Sequence, residues 1–188
     1  MRWILLGILT WILVLIQRTL VHAVTIETDW IGTVGPDLLA PLAVFVALYG
    51  RHSTDVLIVA CGLGFALDVG AGTGGIGSLT VIGPMAIGYA LASWPLLAMR
   101  DALFSKRIAT RMLLTLLFCL TAHFLWVTLQ FIVAHGAVTW AAYGRALVQA
   151  TLLAGYTSVV GPPLMWLLEK KRQWLFRSPA GAIRSNRR

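Results

Sequence analysis

Apolar residues in this 188-residue chain form long unbroken stretches, and polar residues gather in the short breaks between them. Stretches approaching the ~20 residues a helix needs to cross a bilayer lie at Trp3–Ala23, Pro36–Gly50, Thr54–Val69, Ile76–Met99, Met112–His135 and Ala146–Leu168. The pattern predicts an all-α, polytopic membrane protein with six transmembrane helices. The second and third runs are short for a bilayer about 30 Å thick. They are expected either to extend past Gly50 and Val69 or to lie where the protein is thin. Composition agrees, since 12% of residues are charged against about 25% in soluble domains.

Charge orients the bundle, because cytoplasmic loops collect Lys and Arg while acids count for little. With the N-terminus inside, thirteen of the fifteen basic residues fall on cytoplasmic segments, Arg145 falls outside, and Arg18 lies within the first helix. Both termini are thus expected in the cytoplasm, and the net charge of +8 is a topology signal with no implied nucleic-acid partner. The triplet Val21-His22-Ala23 loosely fits a signal-peptide cleavage site, but the long preceding run argues for a retained helix. The expected organisation is a six-helix transmembrane domain over residues 1–168 and a basic cytoplasmic tail over 169–188. Cys61 and Cys119 both fall inside helices, where cysteine behaves as a small apolar residue and implies neither disulfide nor metal.

Polar residues inside the apolar runs are the candidates for function. A carboxylate at membrane depth is costly and normally has a partner. Asp68 and Arg18 fall at similar depth near the outer side, which allows an ion pair between them. The alternative is that Arg18 snorkels outward while Asp68 caps the following glycine-rich turn. Ala60, Gly64 and Asp68 are spaced four apart on one helical face, the pattern that lets two helix backbones approach closely, so they form an expected assembly seam. Gly70–Gly77 lacks the Gly-Lys-Ser/Thr ending of a phosphate loop and is expected to be a tight turn. Gly83 with Pro84, and Pro162-Pro163, are candidate kinks. His123, midway along the fifth helix, is a lone histidine expected to bond a neighbouring helix, and Gln130 and Gln149 are candidates for a bond across the seam of helices five and six. No nucleophile–base set, metal cluster or carboxylate dyad emerges, so no enzyme and no cofactor are expected. Lys106, Arg107 and Arg111 in the loop from Arg100 to Arg111, and Lys170, Lys171 and Arg172 in the tail, are the expected contacts with a partner or anionic lipid.

The residues also form an ordered set. Pro36-Asp-Leu-Leu39 opens helix two; Gly62-Leu-Gly-Phe-Ala-Leu-Asp68 leads into the glycine-rich turn and Gly77-Ser-Leu79; Gly88-Tyr89 lies in a small-residue helix; Pro162-Pro-Leu-Met-Trp-Leu-Leu168 runs into the basic tail. This order resembles the MreD family of bacterial rod shape-determining membrane proteins. The resemblance implies a non-enzymatic subunit of the cell-elongation (peptidoglycan-synthesis) machinery in the inner membrane. It implies MreC as the main partner, with the MreB filament, the RodA glycosyltransferase and a class B penicillin-binding transpeptidase as others. It further implies a bundle similar to the substrate-binding subunit of energy-coupling-factor vitamin transporters, with the family's Gly-x-x-x-Asp element falling on Gly64 and Asp68. The arginine-rich tail and the apolar fifth helix depart from the family pattern.

A rival of another class is a transporter specificity subunit that takes a small vitamin-like solute from outside. It predicts aromatic and polar groups converging on one pocket, for which Trp30, Trp140, Tyr143 and Gln149 are available at the outer side.

Overall fold

The computed structural model describes residues 3–19, 25–28, 30, 32–50, 52–71, 82–100, 107–134, 138–171 and 175. These form six helices and one small hairpin: α1 (Trp3–Thr19), β1 (Ile26–Thr28), β2 (Gly32–Val34), α2 (Leu39–Tyr49), α3 (Ser53–Ala71), α4 (Pro84–Met99), α5 (Ile108–Val133) and α6 (Trp140–Lys170). Among the described residues three stretches are long and apolar enough to cross a membrane: Ser53–Gly70 of α3, all of α5 and all of α6. Helices α1, α2 and α4 are apolar but shorter.

The centre of the fold is α2. Every residue from Leu39 to Ala47 is buried, as expected of a helix that is apolar all round. Helices α3, α4, α5 and α6 surround it, packed each against the next in chain order. The second apolar run is therefore a core helix of 11 residues, about 17 Å long, and not an ordinary lipid-facing span. α1 lies on the outside against α3 and α2, burying Leu6 and Leu13 while Ile4, Ile8 and Trp11 stay exposed.

Close backbone approach holds the ring together. A Cβ on Gly64 of α3 would fall 2.4 Å from the Met85 carbonyl oxygen of α4. One on Gly88 of α4 would fall 2.7 Å from the Ala122 carbonyl oxygen of α5. Gly161 of α6 faces Thr115 of α5 and Pro41 of α2. At Gly64 and Gly88 a side chain has no room, and at Gly161 it would be tight against side chains at 3.1–3.3 Å, the membrane form of small-residue packing.

Several element boundaries differ from those the apolar runs predict. α4 starts at Pro84, not Ile76: Gly83 takes φ +120°, outside helical space, and Pro84 supplies the preset φ of a first helical residue. The Gly83-Pro84 pair thus begins a helix instead of kinking one. α6 begins at Trp140, ahead of the predicted Ala146, because the Thr139 hydroxyl accepts the Ala142 N–H at 3.3 Å as an N-cap. It then continues through Pro162 and Pro163 to Lys170. The expected outer loop contains an antiparallel hairpin with Ile26 opposite Val34. In the glycine-rich stretch Gly70 is still helical, and residues 72–81 lie outside the described residues.

Candidate functional site

Between β2 and α2 the chain passes through the interior outside any helix or strand, where N–H groups need protein partners. Pro36 has no N–H. The Asp37 N–H donates to Thr157 Oγ1 of α6 at 2.9 Å, and the Leu38 N–H donates to Gln17 Oε1 of α1 at 3.3 Å. The next two, Leu39 and Ala40, donate to Asp37 Oδ1 at 2.9 and 3.4 Å. Leu38 already has helical dihedrals, so Asp37 is the N-cap of α2 and satisfies two of its orphan donors.

The second oxygen of Asp37 is the focus of a polar centre. Tyr89 of α4 donates its hydroxyl to Oδ2, and His123 Nε2 of α5 faces the same oxygen at 3.8 Å. His123 Nδ1 donates to the Cys119 carbonyl at 2.9 Å, and Cys119 is itself fully buried. Asp37 is 2% exposed and His123 4%, while Tyr89 and Thr157 are fully enclosed. The Tyr89 ring is further fixed edge-on against Phe118, with centroids 4.9 Å apart. Four helices thus meet at one residue, α4 and α5 on the Asp37 carboxylate and α6 on its backbone N–H.

A second polar layer lies toward the opposite end of α2. Arg111 Nη2 donates to Glu169 Oε2 at 2.7 Å, the Tyr49 hydroxyl donates to Glu169 Oε1 at 3.3 Å, and Arg100 Nη1 donates to the Gly50 carbonyl at 3.0 Å. Asp37 and Tyr49, His123 and Arg111, and Thr157 and Glu169 are each twelve positions apart, about 18 Å along a helix. Helices α2, α5 and α6 therefore run in register between the two layers.

Asp68 does similar work at the start of α4. Its Oδ2 accepts the N–H groups of Gly83, Met85 and Ala86 at 2.9, 3.1 and 3.3 Å. Ala60, Gly64 and Asp68 all lie buried on the face of α3 that meets α4. No Arg18–Asp68 ion pair forms. Asp68 satisfies a helix start, while the exposed Arg18 guanidinium lies beside Gly70, at one side of a cavity of about 110 Å³ between α1 and α3. Asp68 is a cap, but of the start of α4 and not of the expected glycine-rich turn, most of which lies outside the described residues.

The basic residues grouped as surface contacts separate into two kinds. Arg111 is 7% exposed and committed to Glu169, so it is an internal clamp and leaves the set of outward cations. Arg107, Lys170 and Lys171 are exposed, and Lys170 lies 4.2 Å above the Trp166 ring. Lys106 and Arg172 lie outside the described residues. Gln149 donates to the Thr33 carbonyl of β2 at 2.8 Å, so it pins the hairpin instead of reaching across to α5; Gln130 is buried. Trp140 and Tyr143 pack at tilted angles around Phe131.

Asp37 is the residue that sequence reasoning missed. An acid directly before an unbroken apolar run is an N-cap signal, so its capping role was available from the sequence. Its depth was not, because that depends on the segment between β2 and α2 entering the bundle. Among the described residues no group of three or more His, Cys, Asp or Glu is arranged to hold a metal ion. Comparison with known proteins finds no family model, no curated protein and no solved structure that matches the chain.

Proposed function

We propose that this chain is a non-enzymatic scaffold subunit of the bacterial cell-elongation machinery, of the MreD type. In this reading it crosses the inner membrane six times with both termini in the cytoplasm, in a bundle like that of energy-coupling-factor substrate-binding subunits. The observation that supports it is the employment of the buried acids. Asp37 and Asp68 each receive the backbone N–H groups at the start of a helix, and these contacts hold the bundle. Such a frame offers two surfaces to partners: the hairpin at the outer side, and the apolar flank of α1 formed by Ile4, Ile8 and Trp11. On this reading MreC engages those surfaces. The exposed Arg107, Lys170 and Lys171 meet anionic lipid or the MreB filament, and RodA with its transpeptidase joins through the assembly.

The test is gentle detergent extraction of the tagged protein from its own membranes, followed by mass spectrometry of what accompanies it. MreC with wall-synthesis proteins is the expected recovery. Recovery of two ATPases and a large membrane coupling subunit would replace this reading with the solute-binding subunit of a transporter.

A further inference from the structure

Gln17 and Arg18, near the end of α1, carry hydrogen-bond donors that the fold leaves unused. The Gln17 carbonyl accepts the Leu38 N–H at 3.3 Å, so what remains of that side chain is its NH2 group, a donor only. Among the described residues no hydrogen bond or ion pair engages the exposed Arg18 guanidinium, a fork of N–H donors with no acceptor. Asp68, the acid of the neighbouring helix, is turned away to the start of α4.

Both side chains line the cavity of about 110 Å³ between α1 and α3, whose volume is well above the ~10–15 Å³ that one water needs. Its remaining walls are Val14 of α1 and Ala66, Leu67 and Gly70 of α3. A Cβ at Gly70 would lie 3.8 Å from Arg18 Nη2 and 3.9 Å from Val14 Cγ1, which puts the guanidinium over the last turn of α3. The cavity is therefore polar at the C-terminal ends of the two helices and apolar one turn further in. Beyond it the surface stays unfilled. Gly7 shares a helical face with Val14 and Gly62 with Ala66, and a Cβ at either glycine would meet nothing within 4 Å.

This lining selects its occupant. Donors alone, around one positive charge, call for an anion that only accepts, and a guanidinium fork matches a phosphate in geometry as well as charge. Apolar walls directly below call for hydrocarbon. We propose that the cleft between α1 and α3 binds one anionic phospholipid, with its phosphate on Arg18 and Gln17 and an acyl chain along Val14, Ala66 and Leu67. Basic pockets between membrane helices take anionic headgroups by the same chemistry. Gln17 is bonded to the residue that follows Asp37, so the site lies at the hairpin end of the bundle, away from Arg107, Lys170 and Lys171. Its effect is on α1, which buries only Leu6 and Leu13: the lipid fills the gap between this lightly held helix and α3. The inference rests on the membrane location in the proposed function and on none of the partners named there.

The test places the full chain in phosphatidylcholine nanodiscs carrying a trace of photoreactive lipid, either phosphatidylglycerol or phosphatidylcholine with the same acyl chains, and maps the labelled residues by mass spectrometry. Phosphatidylglycerol is expected to label α1 and α3 around Val14 and Ala66 in excess over phosphatidylcholine. That excess is expected to fall about tenfold in Arg18→Gln, as one charge-assisted contact is lost, and to be unchanged in Arg107→Gln. Gly62→Leu, which keeps Arg18 and fills the open surface below, is expected to reduce the same labels. Equal labelling by the two lipids, or labelling that Arg18→Gln leaves unmoved, overturns the proposal. Displacement of the label by soluble glycerol phosphate overturns it too, by assigning the donors to a free anion, and so do chain-to-chain crosslinks at this face in place of lipid labels, which give it to a second copy. An alkaline wash of the native membranes checks the location separately. A chain washed off overturns the membrane reading together with the site, whereas a retained chain with unselective labelling overturns the site alone.

Discussion

The amide nitrogen of Gly83 lies 2.9 Å from Oδ2 of Asp68, fifteen residues earlier, and the amides of Met85 and Ala86 converge on the same oxygen. Pro84 has no N–H, so one carboxylate oxygen serves all three of the N–H groups that this helix start leaves without internal partners. It also ties the last turn of α3 to the first turn of α4. The negative charge sits at the positive end of the α4 dipole, where an acid is favoured.

Removing that oxygen is the most direct test of the cap. Asp68→Ala is expected to lower stability by about 1–3 kcal/mol through orphaned donors, and Asp68→Asn, which keeps an acceptor, by clearly less. Arg18→Gln is expected to change stability by less than about 0.5 kcal/mol, and the Arg18→Gln/Asp68→Ala double change to be additive. Thermal denaturation in detergent measures all four. A double variant no worse than Asp68→Ala alone, with Arg18→Gln itself costly, would restore the ion pair.

Gly64 and Gly88 should tolerate no side chain. A methyl group at either position meets a backbone carbonyl at 2.4 or 2.7 Å, so Gly64→Ala and Gly88→Ala are each expected to cost about 1–3 kcal/mol by forcing helices apart. Gly62 and Gly155 have nothing within 4 Å of the added atom. Alanine there is expected to be neutral or to stabilise by up to about 1 kcal/mol through helix propensity. Melting temperatures of the four variants distinguish crowding from a general effect of glycine replacement.

Thr157 is expected to matter through its oxygen and not its shape. Thr157→Val keeps the volume but strands the buried Asp37 N–H, at a cost of about 1–3 kcal/mol, whereas Thr157→Ser keeps the acceptor and recovers most of it. A loss in Ser as large as in Val would locate the effect in packing, since Ser keeps the hydroxyl and lacks only the methyl group.

At the other polar layer, the position of a basic residue decides its effect. Arg111→Glu places a second acid against Glu169 in a buried site and is expected to reduce folded protein several-fold. Arg107→Glu, on an exposed side chain, is expected to stay within about 0.5 kcal/mol of the original. A double-mutant cycle over Arg111→Met and Glu169→Gln should give a coupling of about 1 kcal/mol, because Glu169 keeps partial contact with solvent that screens the pair. Size-exclusion yield and denaturation midpoints read both comparisons.

Much of this architecture follows from local rules. The six helices correspond to six apolar runs because a long apolar stretch leaves the backbone no partner but itself. The α3–α4 seam was legible in Ala60, Gly64 and Asp68 because residues four apart share a helical face whatever the helix packs against. Even the N-cap at Asp37 is written in its place before an apolar run. Thr139 carries the same kind of signal at the start of α6.

Relations between distant segments needed the tertiary structure. That Asp68 turns to Gly83 and not to Arg18 depends on how α3 and α4 cross, and depth along a helix restricts pairing without choosing a partner. That Arg111 is an internal clamp while Arg107 is a surface charge depends on which side of α5 faces α6. The central position of α2 is the clearest case. Its helix is the most apolar of the six, which suits a core but equally a lipid-facing span, and only burial on all sides, with Tyr89, His123 and Thr157 brought from three other helices to Asp37, makes it the core. Hydrophobic pattern determines that a segment leaves water; whether lipid or protein then covers it is decided by packing among elements far apart in the chain.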